Sequence, residues 1–220
     1  MKYDGNMADG VTFAVQGIGA MGAAVIKYFS QDGGKLRSVA DPRIGGTWIL
    51  NDVCADLISS LSVGDIDKTN ELLKSKGHEH FSDDCQDVLY QAVDIMMPCA
   101  VQDVLSNDNA ARVQAKYISE GANGPCSDEA HTALHEQGVT VIPDFIANPG
   151  GIIAAYVELT SKVTPEENAK TRINVTNAKN MTIERITDNV NKLMKLVRDI
   201  GVEPSHAGMY MALTNMFEQK

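Results

Sequence analysis

Positive charge is what this chain is shortest of: 19 Lys and Arg stand against 29 Asp and Glu, a formal net charge of −10 over 220 residues. Nucleic acids and anionic membranes are bound largely through Lys and Arg that neutralise phosphates, so neither is expected as a partner. No apolar run approaches the roughly 18 residues that cross a bilayer, and no membrane span is expected. The first ten residues, MKYDGNMADG, carry no apolar stretch of the kind a secretory signal needs. Cys54, Cys85, Cys99 and Cys126 are widely separated and form no CxxC pair. Without a signal they read as reduced thiols, which points to the cytoplasm. What remains is an ordinary globular composition, 44% hydrophobic and 22% charged, long enough for a real core.

Short apolar runs alternate with helical patterns. Residues 11–16, 36–41, 93–98, 115–120 and 139–144 read as strands. Helices are expected over 20–30, 52–61, 68–76, 83–91, about 101–112 and 127–137, with Gly77 and Gly138 as stop signals. Such alternation implies parallel pairing through right-handed crossovers, hence an α/β fold with a doubly wound, mostly parallel Rossmann-type sheet.

After Asp144 the texture changes. NPGGIIAAYVELTSKV reads as a long helix entered through glycines, and TPEE (164–167) as a capping box with Pro165 at the first helical position. TRINVTNAKN is polar, β-branched and rich in asparagine, and reads as an irregular loop or weak helix. Beyond it Ile183, Ile186, Val190, Leu193, Val197 and Ile200 recur at alternating spacings of three and four, a helical stripe. It is expected to pack against its own domain rather than form a partner seam. With no repeat or linker visible, residues 1–220 are read as one domain, its core over about 11–160 and a C-terminal helical extension over about 165–220.

The stretch VTFAVQGIGAMG carries Gly17, Gly19 and Gly22 as GxGxxG between an expected strand and an expected helix. The first glycine permits the tight turn, the second lets a pyrophosphate approach the backbone, and the third lets helix and strand pack closely. A pyrophosphate would sit on the N–H groups at the helix N-terminus, around Ile18, Gly19, Ala20 and Met21. Asp41 ends the next expected strand, close to the spacing of about 20 residues at which an acid accepts ribose hydroxyls. Its charge disfavours a 2′-phosphate, so NAD is expected, while Arg43 keeps NADP open. The plainer alternative is a glycine turn that only packs, with Asp41 as a cap.

Further motifs follow the later strands: MMPCAVQ, EGANGP and PDFIANPGG. Together with VQGIGAMG this ordered series, from about Val11 to Leu159, resembles the cofactor (C-terminal) domain of the glutamate/leucine/phenylalanine/valine dehydrogenases. The resemblance implies an NAD-binding domain serving the oxidative deamination of an L-amino acid to a 2-oxo acid. It implies that Asp41 and Pro42 lie by the adenosine ribose and that Cys99 and Ala100 lie beside that ribose and the pyrophosphate. Ala122 and Asn123 would approach the nicotinamide ribose, and Asn148 would hydrogen-bond the nicotinamide carboxamide, which an Asn amide can both donate to and accept from. Asn123 and Asn148 also read as helix caps.

Three departures from the family pattern stand out. Ala20 replaces a common Asn near the pyrophosphate, and Ala155 replaces the Ser of glutamate-specific relatives, which weakens any claim for glutamate. The family's substrate domain, with its catalytic lysine and aspartate, has no counterpart ahead of Val11, so no catalytic residue is assigned and the chain alone is expected to be inactive. A substrate domain supplied separately, or a homo-oligomer, is the implied partner. A free-standing NAD sensor without catalysis is the main alternative, and an interaction protein that has lost the cofactor is the other. No metal site is assigned: His78, Glu79 and His80 read as a solvated loop, and His131 and His135 as an exposed helix face. Cys99 has no accompanying base and is not read as a nucleophile.

Overall fold

The computed structural model describes residues 8–218, so the outermost limits expected for the domain and its helical extension lie outside the described residues. The chain divides into two compact units, Met1–Val141 and Ile142–Lys220.

In the first unit β1 (Thr12–Gln16) leads into α1 (Ala20–Gln31) and β2 (Lys35–Asp41). β2 then turns back through β3 (Gly46–Ile49), and after α2 (Ala55–Val63) and α3 (Ile66–Ser75) the chain forms β4 (Glu79–Ser82). β5 (Ile95–Pro98), β6 (Tyr117–Ser119), α4 (Asp128–Glu136) and β7 (Thr140–Ile142) complete the series. Among the described residues they form one seven-stranded sheet in the order β4-β3-β2-β1-β5-β6-β7. The β1–β2, β1–β5 and β5–β6 pairs are parallel, while β3 is antiparallel to both β2 and β4. The sheet is therefore doubly wound and mostly parallel, with the direction of winding reversing between β1 and β5.

Side chains alternate across a strand, and β1 uses that alternation to feed two cores. Phe13 and Val15 join Ile26, Val39, Leu57 and Leu61 on one side. Ala14 joins Leu89, Met96, Ile118 and Leu134 on the other. Asp94 pins the entry to β1, accepting from the Thr12 N–H (2.9 Å) and hydroxyl (2.7 Å) and pairing with Lys116 at 2.7 Å. Gly77 and Gly138 stop α3 and α4 with φ of 73° and 83°, as their sequence positions predict.

Several expectations need correction. β3 and β4 were not foreseen; β4 is short and largely exposed, so no alternation marks it. The helix expected over 83–91 is a single 3-10 turn, Asp87–Tyr90, because Val88, Leu89 and Tyr90 are buried in succession, which one helix face cannot supply. That expected over 101–112 is irregular, with bends at 102–103, an isolated bridge at Leu105 and a turn at 107–109, and only the 3-10 turn Ala110–Arg112 is helical. Val104 and Leu105 both donate to the Pro125 carbonyl at 2.9 Å, which draws this segment alongside the chain at Cys126.

The second unit contains α5 (Asp144–Ala147), α6 (Gly150–Thr160), α7 (Pro165–Thr171), α8 (Ile173–Ile200) and α9 (Pro204–Glu218). Thr164 and Glu167 form the expected capping box, with Pro165 at the first helical position. Of the two readings of TRINVTNAKN the helical one holds from Ile173, where α8 begins and runs on to Ile200. The start of α8 is held by side chains: Asn174 N–H donates to Asn168 Oδ1 (3.0 Å), and Ser161 Oγ donates to Asn174 Oδ1 (2.8 Å). Val190, Leu193 and Val197 of the stripe pack with Ile146 and Ala207, whereas Ile183 and Ile200 at its ends are exposed.

Candidate functional site

Ligands of open α/β sheets bind beyond the carboxyl ends of the strands at the point where the winding reverses, and here that point is flanked by residues 17–22 after β1 and 99–101 after β5. The three glycines differ in what surrounds them. Gly17 has φ 86°, and a Cβ there would meet Ala100 Cα at 2.9 Å. A Cβ on Gly22 would lie 1.8 Å from the Gly17 carbonyl oxygen, so only glycine lets α1 pack on the turn. At Gly19 a Cβ would meet nothing within 4 Å: the surface outside is open, and the helix end behind it is uncapped. No side chain caps α1 and no acidic residue occupies its first turn. The amides of Ala20, Met21 and Gly22, which lack intrahelical acceptors by position, thus face a site that favours an anion.

Ile18 departs from expectation. Its N–H points inward and donates to Asp41 Oδ2 at 2.9 Å, so it is not offered alongside the helix amides. Asp41 also accepts from the Arg43 N–H and Nε, both at 2.9 Å, and from Arg43 Nη2 at 3.1 Å. Burial opposes its ionisation, but the Arg43 guanidinium and the two amides outweigh burial and hold the carboxyl below its usual range. The carboxylate is thus both a fastener of the glycine turn and a charge largely neutralised by Arg43. Pro42 is exposed directly after it. A cleft of about 400 Å³ runs over the turn, lined by Ile18, Gly19, Ala20, Lys27, Tyr28 and Arg43.

Across the switch point, Cys99 N–H donates to the Gln16 carbonyl (2.9 Å) and Ala100 is exposed against Gly17. Burial pushes the Cys99 thiol up to about 12, so it stays protonated, in keeping with its not being read as a nucleophile. The amides of Gly121 and Ala122 both donate to the Pro98 carbonyl, at 3.1 and 2.9 Å, which docks the EGANGP loop on the end of β5. A Cβ on Gly121 would strike Cys99 Sγ at 2.5 Å. Asn123 is exposed on that loop. The residues at 17–22, 41–43, 99–100 and 122–123 therefore gather at one end of the sheet. Asn148 belongs to the second unit, where it ends α5 and its N–H donates to the Asp144 carbonyl at 2.6 Å.

Lys27 lines the cleft but was missed from the sequence; it follows Ala20 and Ala23 at helical spacing on the same face of α1, which is the signal that could have found it. The histidines also need correction. His78, just ahead of β4, is buried and accepts the Asn51 N–H at 3.1 Å, while Glu79 and His80 are the exposed start of β4, the His80 ring 5.0 Å from Trp48, so the segment is strand rather than loop and only its last two residues are solvated. His131 is not on an exposed face; it is buried on α4 beside Ala130 and Leu134, 3.1 Å from Glu120.

These features define a doubly wound Rossmann-type α/β domain with an anion-receptive glycine turn at its switch point. The chain belongs to the glutamate/leucine/phenylalanine/valine dehydrogenase family, whose profile matches residues 1–219. It is 33% identical over 201 residues to the NADP-specific glutamate dehydrogenase of Saccharolobus shibatae, covering 87% of this chain and 42% of that protein. It is 30% identical over 159 residues to the NAD-specific glutamate dehydrogenase of Peptoniphilus asaccharolyticus, covering 71% of this chain and 37% of that protein. The chain thus spans less than half the length of these relatives. In fold it is similar to the hetero-hexameric glutamate dehydrogenase of Thermus thermophilus, with a TM-score of 0.69, 21% identity, and coverage of 97% of this chain and 47% of that one. Among the described residues no helix is long and apolar enough to cross a membrane.

Proposed function

We propose that the chain is the cofactor-binding part of an amino-acid dehydrogenase and that its first unit binds a nicotinamide dinucleotide across the switch point. The observation that carries this reading is the open surface at Gly19 in front of an uncapped, acid-free helix N-terminus. The first-turn amides of α1 would hold the pyrophosphate, with Asp41 and Pro42 beside the adenosine ribose. Cys99 and Ala100 would flank the phosphates, and Ala122 and Asn123 the nicotinamide ribose. The bound nicotinamide would supply hydride exchange with the α-carbon of an L-amino acid. The acid/base groups that polarise the substrate would come from a substrate domain outside these 220 residues, within an assembly of several copies in the cytoplasm. NAD is the favoured cofactor because the Asp41 carboxylate would repel a 2′-phosphate on the adenosine ribose, but Arg43 and Lys27 would keep that discrimination modest.

Millimolar NAD should raise the melting temperature of the purified chain, since a ligand that binds only the folded state stabilises it by mass action. No shift and no calorimetric signal with either NAD or NADP overturns the reading. Asp41→Ala should narrow the preference for NAD over NADP, and an unchanged ratio would show that Asp41 does not read the ribose. The chain alone should not oxidise glutamate, leucine, phenylalanine or valine; robust turnover would show that its own residues suffice.

A further inference from the structure

Behind the EGANGP loop lies a group of side chains that the dinucleotide reading leaves unused. Glu120 follows β6 and is 1% exposed, Cys126 precedes the Ser127 cap of α4 at 7%, and His131 sits on the inner face of α4 at 7%. His131 Nε2 lies 3.1 Å from Glu120 Oε1, and one ligand atom from each of the three residues lies within 4.8 Å of the others. The backbone around them is tied down. Leu105 bridges to Cys126, the Ser127 N–H donates to the Leu105 carbonyl at 2.9 Å, and Ser127 caps α4 through the Ala130 N–H at 3.2 Å.

We propose that Glu120, Cys126 and His131 form a binding site for a divalent transition-metal ion, with zinc the best match. One carboxylate, one thiolate and one imidazole make a mixed, borderline-soft donor set that zinc accepts. Calcium and magnesium prefer six or more oxygens, and this cluster offers a single carboxylate. Zinc–donor distances of about 2.0–2.3 Å set tetrahedral donor separations of about 3.3–3.8 Å, so the three groups need only small side-chain rotations to close on an ion. Three protein ligands leave the fourth position to water. Burial distinguishes this group from chance surface clusters, since all three donors are enclosed together in the protein rather than scattered on its surface. An ion here would clamp the two ends of residues 121–125 together at the base of the loop. The proposal stands independently of the dinucleotide reading, and its plain rival is a Glu120–His131 ion pair with Cys126 as packing.

The test is a Co²⁺ titration of the metal-stripped 220-residue chain, followed by absorption. One equivalent should produce the near-ultraviolet band of a cobalt–thiolate bond together with the intense visible bands of a tetrahedral ion. Zn²⁺ should displace the cobalt and raise the melting temperature, whereas Mg²⁺ should do neither. Cys126→Ser should abolish the thiolate band and weaken Zn²⁺ binding by no less than the roughly 10–100-fold lost with outer-shell partners. Absence of any band from the wild-type chain in excess Co²⁺ overturns the proposal and leaves the ion pair. A band that survives in Cys126→Ser also overturns it, by tracing the thiolate to Cys54, Cys85 or Cys99. Should that variant fail to fold, the wild-type titration and Glu120→Gln, which should lower Zn²⁺ affinity, still decide.

Discussion

In the first unit β1 sends Phe13 and Val15 into one core and Ala14 into another, so apolar side chains are enclosed on both faces of the sheet. In the second, Ile146, Leu193 and Ala207 make up the buried cluster, while Ile152, Tyr156, Leu159, Met216 and Phe217 stand exposed. The contrast follows from geometry. A parallel strand covered on two faces buries every residue, whereas a helix with few neighbours buries one stripe and shows the rest to solvent. Stability in this chain should therefore be concentrated in the first unit.

The largest effects should test that concentration directly. Leu61→Ala, in the packed cluster beside α1, should cost about 4 kcal/mol in denaturant unfolding, because its rigid surroundings cannot collapse onto the cavity. Leu193→Ala should cost about 2 kcal/mol, since its cluster is smaller and ringed by only partly buried side chains that can relax. Equal losses would erase the distinction between the units.

Gly22→Ala comes next, at about 3 kcal/mol, because its Cβ would overlap the Gly17 carbonyl. Gly19→Ala, with open space around it, should leave the melting temperature nearly unchanged while weakening dinucleotide binding. A variant pair that lost stability and binding in the same proportion would remove the difference between a packing glycine and a contact glycine.

The acid limb sharpens the comparison further. Asp41 has its folded pKa depressed, so its contribution is full above the unfolded value near 3.9 and is lost as pH falls through the lower folded value. Asp41→Asn should therefore reduce stability at neutral pH and flatten the loss on acidification, as read by urea unfolding at a series of pH values. An unchanged acid limb would show that the Arg43 pairing carries no linkage. The smallest effect should be Thr164→Ala, about 1 kcal/mol from the capping box of α7, seen as lost helicity in the second unit.

The parallel strands and the glycine turn were legible because short continuous apolar runs and a GxGxxG spacing are local signals. β3 and β4 were not: GTWI and EHFS are four-residue strands without an apolar run, and although β3 folds back on β2 across a short turn, β4 reaches it only across α2 and α3. Val104 and Leu105 read as helix but lie extended, because their amides are claimed by Pro125, twenty residues on. The Asn-rich start of α8 read as an irregular loop or weak helix because the side chains that secure it, Asn168 on the Asn174 N–H and Ser161 on the Asn174 side chain, lie outside the helix. At the site, the glycines and Asp41 were found by spacing. The burial of His131 beside Glu120 was invisible, because one histidine on a helix does not declare which face is inward.

On the proposed function Asp41 would have two duties at the glycine turn, and they could not be inherited separately. The carboxylate that would discriminate between cofactors is also the acceptor that anchors the Ile18 amide. A lineage or an engineer seeking the phosphorylated cofactor by removing that acid would loosen the turn in the same step. A successful switch of preference should therefore arrive with a second change that restores an acceptor for Ile18, or leave Asp41 in place and work through the cations around it.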